Sequence, residues 1–210
     1  MIKIENIEVS GFRAALRGMR NPLNSWNKSD SVFNEDDTFL IGEKDLDLAG
    51  RLITSGSPDR KFLRMIHVSM DVTAPLYWWK EYDTYKISTV ANSCSTMHKL
   101  AAKPFELSDF STDHLNTDAI GVLRNVIDFL NAQREIYVNG IHGQLKDDKA
   151  YWWNMIQLLP TSYNQRRTLD LNYETLRAIY YWRKNHKLDE WRELCKALEA
   201  LPYAKEFIVN

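Results

Sequence analysis

Side chains able to bind a small charged molecule are densest between Ala74 and Leu100. This segment holds two Trp, three Tyr and three Lys, together with Glu81, Asp83 and a run of Ser, Thr and Asn. Aromatic side chains stack on other rings, and Lys binds phosphate as a compact point charge. The mixture therefore predicts a site for an amphipathic small molecule that carries a phosphate or a ring.

Four charged residues in this segment allow two interpretations. Lys80, Asp83 and Lys86 are spaced three residues apart on a predicted helix, with Glu81 beside them. Such i,i+3 pairs can form a solvated face that adds only a few tenths of a kcal/mol. Alternatively, Lys80 or Lys86 anchors a phosphate, while Glu81 or Asp83 accepts hydrogen bonds from a sugar or a base. The helical spacing does not choose between them.

The polar run Ser88–Thr96 contains neither Gly nor Pro. Its side chains are of the kind that cap helices and complete turns. They are equally of the kind that cradles a phosphate at a helix N-terminus, so both interpretations stay open. Cys94 and His98 lie close in sequence, but the sequence offers no third group to orient a catalytic base. The catalytic residues are therefore left unassigned.

A second cationic region lies towards the C-terminus. Arg166 and Arg167 precede a predicted helix that carries Arg177 and Arg183. These cations are candidates for anion binding, and those late in the helix also complement its dipole. The five His residues show no metal-binding spacing, so we predict no metal site.

Composition limits the remaining classes of function. The chain has 210 residues, 44% apolar residues and a net charge of −1. These values predict one domain over residues 1–210 that binds neither nucleic acid nor membrane. With no apolar run near eighteen residues and no signal-like N-terminus, we expect a cytoplasmic protein whose Cys94 and Cys195 are reduced. The seven Trp and ten Tyr favour core and oligomer-interface packing over ring stacking on a ligand.

Hydrophobic periodicity predicts the elements that position these residues. The clearest strand is Met65–Thr73, where apolar and polar residues alternate. Another strand is predicted at Ile2–Val9, and polar turns are predicted at Arg20–Asp37 and Thr161–Asp170. Helices are predicted at Phe12–Gly18, Lys44–Thr54, Pro75–Tyr82, Tyr151–Leu159, Asn172–Lys187 and Asp189–Leu201, and within Thr112–Tyr137. The predicted class is α+β, a mainly helical domain around a small antiparallel or mixed sheet.

Short motifs follow one another along this framework. They are Gly18–Leu23 (GMRNPL), Asn92–Ser95 (NSCS), Leu159-Pro160, the set Asn172, Leu176 and Arg183, and Leu188–Trp191 (LDEW). Their order, after an alternating strand, Ala-Pro and an aromatic helix, resembles that of the flavin-dependent thymidylate synthases. Those enzymes use FAD to methylate dUMP with a folate carbon donor. They are α+β homotetramers whose active sites lie between subunits.

The resemblance implies a fold, a cofactor and a set of site residues. It implies FAD, a nucleotide or flavin ligand and a homo-oligomer, a tetramer by family likeness. The cofactor-binding residues that it implies are Tyr85, Lys86, Asn92 and Asn172. The residues expected at the nucleotide, from the resemblance and from the charged groups above, are Lys80, Glu81, Ser93, Ser95, His98, Arg166, Glu174 and Arg183.

Several family arginines are replaced in this chain. The Arg-His-Arg flavin signature falls on Thr84-Tyr85-Lys86, and the Ser-x-Arg motif becomes Ser95-Thr96-Met97. The Arg of Asn-x-Arg-x-Leu, which contacts the nucleotide in the family, becomes Glu174. A carboxylate at that position predicts repulsion towards a phosphate. The favoured hypothesis is a diverged family member that binds a nucleotide or flavin with altered or lost synthase activity. The alternatives are an active synthase with a rearranged site and a non-enzymatic interaction or ligand-sequestering protein.

Overall fold

The computed structural model describes residues 2–36, 38–140 and 145–210. Its strands are β1 (Lys3–Ser10), β2 (Val32–Phe33), β3 (Phe39–Leu40), β4 (His67–Pro75), β5 (Thr89–Ser93) and β6 (Asn164–Asn172). Its α-helices are α1 (Phe12–Arg20), α2 (Glu43–Ser55), α3 (Leu76–Tyr82), α4 (Thr96–Lys99), α5 (Thr117–Asn139), α6 (Lys149–Leu158), α7 (Tyr173–Arg183) and α8 (Asp189–Leu198). One sheet has the strand order β1-β4-β6-β5, and β2 pairs antiparallel with β3. The predicted α+β class is confirmed.

Strand β4 follows the alternation seen in the sequence. Val68, Met70 and Val72 are buried, whereas the polar residues between them are more exposed. Pro75 ends the strand and occupies the N-cap position of α3 without a side-chain cap. The backbone N–H groups of Leu76 and Tyr77 donate instead to the carbonyls of Tyr163 and Thr161, each over 3.0 Å. The described residues contain no helix with both the length and the apolarity needed to cross a bilayer.

Two polar segments contain strands that the sequence did not predict. The turn predicted at Thr161–Asp170 is wrong for most of its length, because β6 runs from Asn164 to Asn172. Likewise, the hydroxyl-rich run Ser88–Thr96 contains β5, and the helix that follows it has only four residues. Backbone pairing within a sheet stabilises these strands although few of their side chains are apolar.

The contacts divide the chain into two compact units. Unit 1 comprises Met1–Lys3, Val72–Thr84 and Asn92–Arg167, and unit 2 comprises Ile4–Asp71, Tyr85–Ala91 and Thr168–Asn210. The single domain expected over residues 1–210 stays a prediction. Each unit is built around a core of its own.

The core of unit 1 lies where α5 packs on α6. Its buried members are Leu100, Phe105, Phe110, Leu123, Ile127, Leu130 and Met155. In the same unit, Trp78 and Trp79 of α3 are almost fully buried, with their ring centroids 4.8 Å apart in an edge-on arrangement. Because each buried indole removes a large apolar area from water, these Trp residues contribute to the core.

The core of unit 2 is an aromatic cluster around Phe12. The rings of Phe39, Tyr173, Tyr203 and Phe207 have centroids between 4.7 and 6.0 Å from that of Phe12. Both phenol groups of the cluster are hydrogen-bonded. The Tyr173 hydroxyl donates to the Pro202 carbonyl, and the Tyr203 hydroxyl accepts from the backbone N–H of Ile41, each over 2.7 Å. Residues far apart in sequence are thereby fixed around α1.

The junction between β1 and α1 requires glycine. Gly11 has a φ of +94°, and a Cβ atom built there would lie 1.9 Å from the carbonyl oxygen of Met65. A positive φ is unfavourable for residues with a side chain, and the carbonyl belongs to the backbone. The main chain can therefore approach this closely only without a side chain at residue 11.

A buried ion pair organises the loop between α1 and α2. Asp45 is fully buried and accepts a 2.6 Å hydrogen bond from Nε of Arg20, itself only 4% exposed. The hydroxyls of Ser29 and Ser31 also donate to Asp45, each over 2.6 Å. Although burial alone would raise the pKa of Asp45, these hydrogen bonds and Arg20 hold it below its usual value.

We expect replacement of Asp45 by Ala to destabilise the protein strongly. The Arg20 guanidinium would stay buried without its carboxylate, a change that costs about 3–5 kcal/mol of unfolding free energy. Asp47→Ala is the matched control, because Asp47 lies on the same helix with 68% of its side chain exposed. Urea denaturation followed by circular dichroism measures both. Equal transition midpoints for the two variants would contradict this assignment.

Candidate functional site

Two residues implied by the family resemblance meet in unit 2. Nε of Arg183 donates to the hydroxyl of Tyr85 over 2.9 Å, although the two lie 98 positions apart. The Arg183 guanidinium also lies over the rings of Trp191 and Tyr85, 4.5 Å and 5.6 Å from their centroids. Stacking on aromatic rings restricts the plane of a guanidinium. Arg183 is therefore held in one orientation at the end of α7.

A second group in unit 2, the Glu174 cluster, consists of Ser57, Arg60, Arg64 and Glu174. Nε and Nη2 of Arg64 both donate to the Glu174 carboxylate. Nε of Arg60 donates to the same carboxylate over 3.4 Å, and the Ser57 hydroxyl does so over 2.8 Å. The two arginines come from the 3-10 turn Arg60–Met65, and Glu174 comes from the first turn of α7.

The Glu174 carboxylate is paired with the cations around it. Burial acts to raise the pKa of Glu174, but hydrogen bonds from Arg64 and Ser57 outweigh it and hold that pKa below its usual value. Two guanidiniums surround one carboxylate, so the cluster carries a net positive charge. The repulsion expected from an Arg-to-Glu replacement at residue 174 is thus offset by neighbouring arginines.

Asn172, expected at the cofactor, has a structural role at the start of α7. Its side chain is 4% exposed, and its Oδ1 accepts a 2.9 Å hydrogen bond from the backbone N–H of Thr175. This is an N-cap, which satisfies one of the donors left open at a helix start. Lys86, by contrast, is exposed beside Tyr85.

An arginine of β6 organises the polar groups of unit 1. The Arg167 guanidinium lies 4.2 Å from the centroid of the Trp79 ring and donates to Asp83 over 2.7 Å. It also donates to the side chain of Gln165 over 3.0 Å. Asp83, the residue that follows α3, is thereby paired with the sheet.

The remaining sequence-predicted residues of unit 1 lie on or next to α3, β5, α4 and β6. Asn92 and Ser93 are exposed at its end, and the backbone N–H of Cys94 donates to the carbonyl of Arg166 over 2.9 Å. Ser95 accepts from the backbone N–H of His98 over 3.3 Å and so caps the four-residue helix α4. Lys80 is exposed on α3, and Glu81 is half-buried beside it.

Metal ligation finds no support in the described residues. Within the ranges 2–36, 38–140 and 145–210, no group of three or more His, Cys, Asp or Glu residues could hold a metal ion. His142 lies outside those ranges. Cys94 and Cys195 are free thiols, and burial raises the pKa of Cys195 to about 11. Cys195 is therefore not suited to act as a nucleophile at neutral pH.

Sequence reasoning missed Arg60 and Arg64. They lie in a single 3-10 turn, which has no helical periodicity, and outside every motif of the family resemblance. The need for them becomes visible only in the fold. A mostly buried carboxylate at residue 174 needs a cation from elsewhere in the chain, and these arginines provide it.

Comparison with known proteins identifies the fold. No family model and no curated protein matches the sequence. Among solved structures, thymidylate synthase X (ThyX) of Helicobacter pylori with FAD and dUMP matches with a TM-score of 0.66 and 17% identity, over 99% of this chain and 97% of that chain. A second structure of ThyX from H. pylori with FAD and dUMP gives 0.64 and 18%, over 97% and 98% of the respective chains.

A related methylase has the same architecture. The UMP/dUMP methylase PolB of Streptomyces cacaoi, bound with 5-Br UMP, matches with a TM-score of 0.61 and 14% identity, over 95% of this chain and 87% of that chain. At these identities the likeness establishes the fold alone, and the ligands belong to those proteins. The resemblance predicted from the motifs is confirmed at this level. This chain has the fold of the flavin-dependent thymidylate synthases.

Proposed function

We propose that this chain binds a nucleotide or a flavin as a diverged relative of the flavin-dependent thymidylate synthases, with altered or lost synthase activity. The observation that carries the proposal is the 2.9 Å hydrogen bond between Arg183 and Tyr85. Tyr85 is placed by the resemblance in the flavin signature, and Arg183 is placed by it at the end of the helix. Their contact supports a ligand site at the position that the family uses.

The residues of unit 2 fit a ligand that carries both a phosphate and a ring. Arg183 supplies an oriented guanidinium, Tyr85 supplies an aromatic face, and Lys86 supplies an exposed cation. FAD, when bound, would supply the hydride chemistry that side chains lack. The chain's own contribution would be to bind and orient the ligand, with Tyr85 and Lys86 as the residues proposed at the cofactor. Asn92, in unit 1, stays a prediction of the resemblance.

We propose altered activity because the side chains at Thr84-Tyr85-Lys86 differ from those of the family's flavin signature. Thr84 and Tyr85 stand where the family has Arg and His, so hydroxyl side chains replace two of its three cationic or titratable groups. A hydroxyl can donate one hydrogen bond to a phosphate, but it offers neither the charge nor the fork of a guanidinium. In unit 2, Arg183 is the cation proposed at the nucleotide, with Glu174 as a polar neighbour. The residues of unit 1 that were expected there stay predictions: Lys80, Glu81, Ser93, Ser95, His98 and Arg166.

We expect purified protein to bind FAD or dUMP in calorimetric titrations, and Arg183→Gln to weaken binding. A charged hydrogen bond contributes about 1.5–3 kcal/mol, so the expected increase in Kd is about tenfold or more. Arg51→Gln is the control, because Arg51 is an exposed arginine of α2 that is paired with Asp47. Absence of binding to every nucleotide and flavin tested with the wild-type protein would refute the proposal.

The second candidate is an active FAD-dependent thymidylate synthase with a rearranged site. The Glu174 cluster favours it, because Arg60 and Arg64 bring guanidiniums to the position from which the family arginine is missing. Rescue of a thymidine-requiring bacterial strain separates the candidates. Under the first proposal we expect no growth without thymidine at normal expression levels. Growth that depends on Arg183 would establish the second candidate instead.

A homotetramer in the cytoplasm is part of the proposal. The oligomer is supported by an aromatic pair on α7. Tyr181 and Trp182 are 66% and 72% exposed, and their ring centroids lie 5.0 Å apart. Exposed Trp and Tyr are enriched at protein interfaces. The same pair is what a non-enzymatic interaction protein would present to a partner.

We expect light scattering to give a mass four times the 24.6 kDa of the chain. Trp182→Ala should shift that mass towards the monomer, because the substitution removes a large apolar contact. Trp153→Ala, on α6, tests whether any exposed Trp has this effect. A monomeric wild-type protein would contradict the tetramer and leave the ligand proposal to its own test.

A further inference from the structure

The Glu174 cluster has donor groups that its own carboxylate does not use. Arg64 directs Nε and Nη2 to Glu174 and Ser57, whereas Arg60 directs only Nε to Glu174. Among the described residues, Nη1 of Arg64 and both terminal nitrogens of Arg60 have no hydrogen-bond acceptor. The side chains of Arg60 and Arg64 are 31% and 51% exposed. Their unused donors are therefore accessible to a ligand.

The cluster also carries more positive than negative charge. Two arginines face one carboxylate, and Arg177 of α7 lies within electrostatic range of Arg60. Burial, together with the like charge of Arg60, holds the pKa of Arg177 below its usual value. Part of the Arg177 guanidinium is occupied by the carbonyl oxygens of Ile208 and Asn210. Cations gathered in this way repel one another, and a bound anion relieves that repulsion.

The position of Glu174 in the fold supports the same conclusion. It lies in the first turn of α7, an eleven-residue helix whose N-terminus carries a partial positive charge. An anion near Arg60 and Arg64 would gain from that dipole as well as from the guanidiniums. The resemblance implies an arginine at residue 174, and in this chain the 3-10 turn brings two guanidiniums to the carboxylate that replaces it.

We propose that Arg60 and Arg64 bind the phosphate of the nucleotide or flavin ligand, and that Glu174 is a positioning residue that holds their guanidinium planes. This inference rests on the proposed function and names the groups that replace the missing arginine. Arg64 binds Glu174 through two of its nitrogens, which leaves the third directed elsewhere. A preorganised guanidinium loses less side-chain freedom when it binds a phosphate.

The test compares Arg60→Gln and Arg64→Gln with wild-type protein and with Arg51→Gln. The probes are FAD, dUMP and inorganic pyrophosphate, titrated by calorimetry at low and high salt. We expect each cluster variant to raise the Kd about tenfold or more, because each loses a charged hydrogen bond. We expect Arg51→Gln to stay within about twofold, because surface changes away from such sites have small effects. The cluster variants should also show a weaker dependence of Kd on salt.

The Glu174→Gln variant distinguishes a positioning role of Glu174 from its effect on the net charge of the cluster. Removal of a carboxylate beside a phosphate site should tighten binding if only net charge matters. If Glu174 orients the arginines, the same variant should weaken binding, and this is the result that we expect. Tighter or unchanged binding by Glu174→Gln would overturn the positioning role.

The outcomes distinguish this inference from the proposed function. If wild-type protein binds none of the probes, the proposed function fails and the inference fails with it. If wild-type protein binds a probe while both cluster variants match Arg51→Gln, only the inference is overturned. Circular dichroism establishes that each variant is folded. Should Arg64→Gln unfold, Arg60→Gln decides, because its single 3.4 Å contact makes it the milder change.

Discussion

A mostly buried carboxylate must be neutralised by a cation, and Glu174 in unit 2 is such a carboxylate. With 17% of its side chain exposed, it has lost most of its hydration, and only a cation with matching hydrogen bonds offsets that loss. Arg60 and Arg64 meet the need from a 3-10 turn more than 100 positions away. The packing of that turn against α7 is therefore fixed by electrostatics as well as by apolar contact. The same requirement determines where guanidinium groups are available to a ligand.

The parts of the fold that could be predicted from sequence are those with a strong local signal. The alternation in β4 and the helical periodicity of α2 and α7 each predict an element close to its observed bounds. Strand β6 could not be predicted, because its first half is polar. Its Arg167 is tolerated there because it stacks on Trp79 and pairs with Asp83, and both contacts are far away in sequence. Long-range partners of this kind leave no periodic trace.

In the candidate site, too, some residues have a sequence signal and others do not. Tyr85 and Arg183 could be named because the motifs carry them, and the structure adds that they touch. Arg60 and Arg64 could not be named, because no motif includes them and a single 3-10 turn has no distinctive pattern. Asn172 illustrates the opposite case, since a residue selected by resemblance is already used as a helix cap. Motifs thus identify positions, whereas the hydrogen-bond partners in the fold decide which side chains remain available.

The close backbone approach at Gly11 also constrains the 3-10 turn Arg60–Met65. The atom that a methyl group would strike is the Met65 carbonyl oxygen, part of the main chain that no rotamer change can move aside. Met65 is also the last residue of the turn that carries Arg60 and Arg64. Even a methyl group at residue 11 would displace that turn, and with it the guanidinium groups of Arg60 and Arg64. A substitution at Gly11 would thus also disturb the anion binding that we propose for these two arginines.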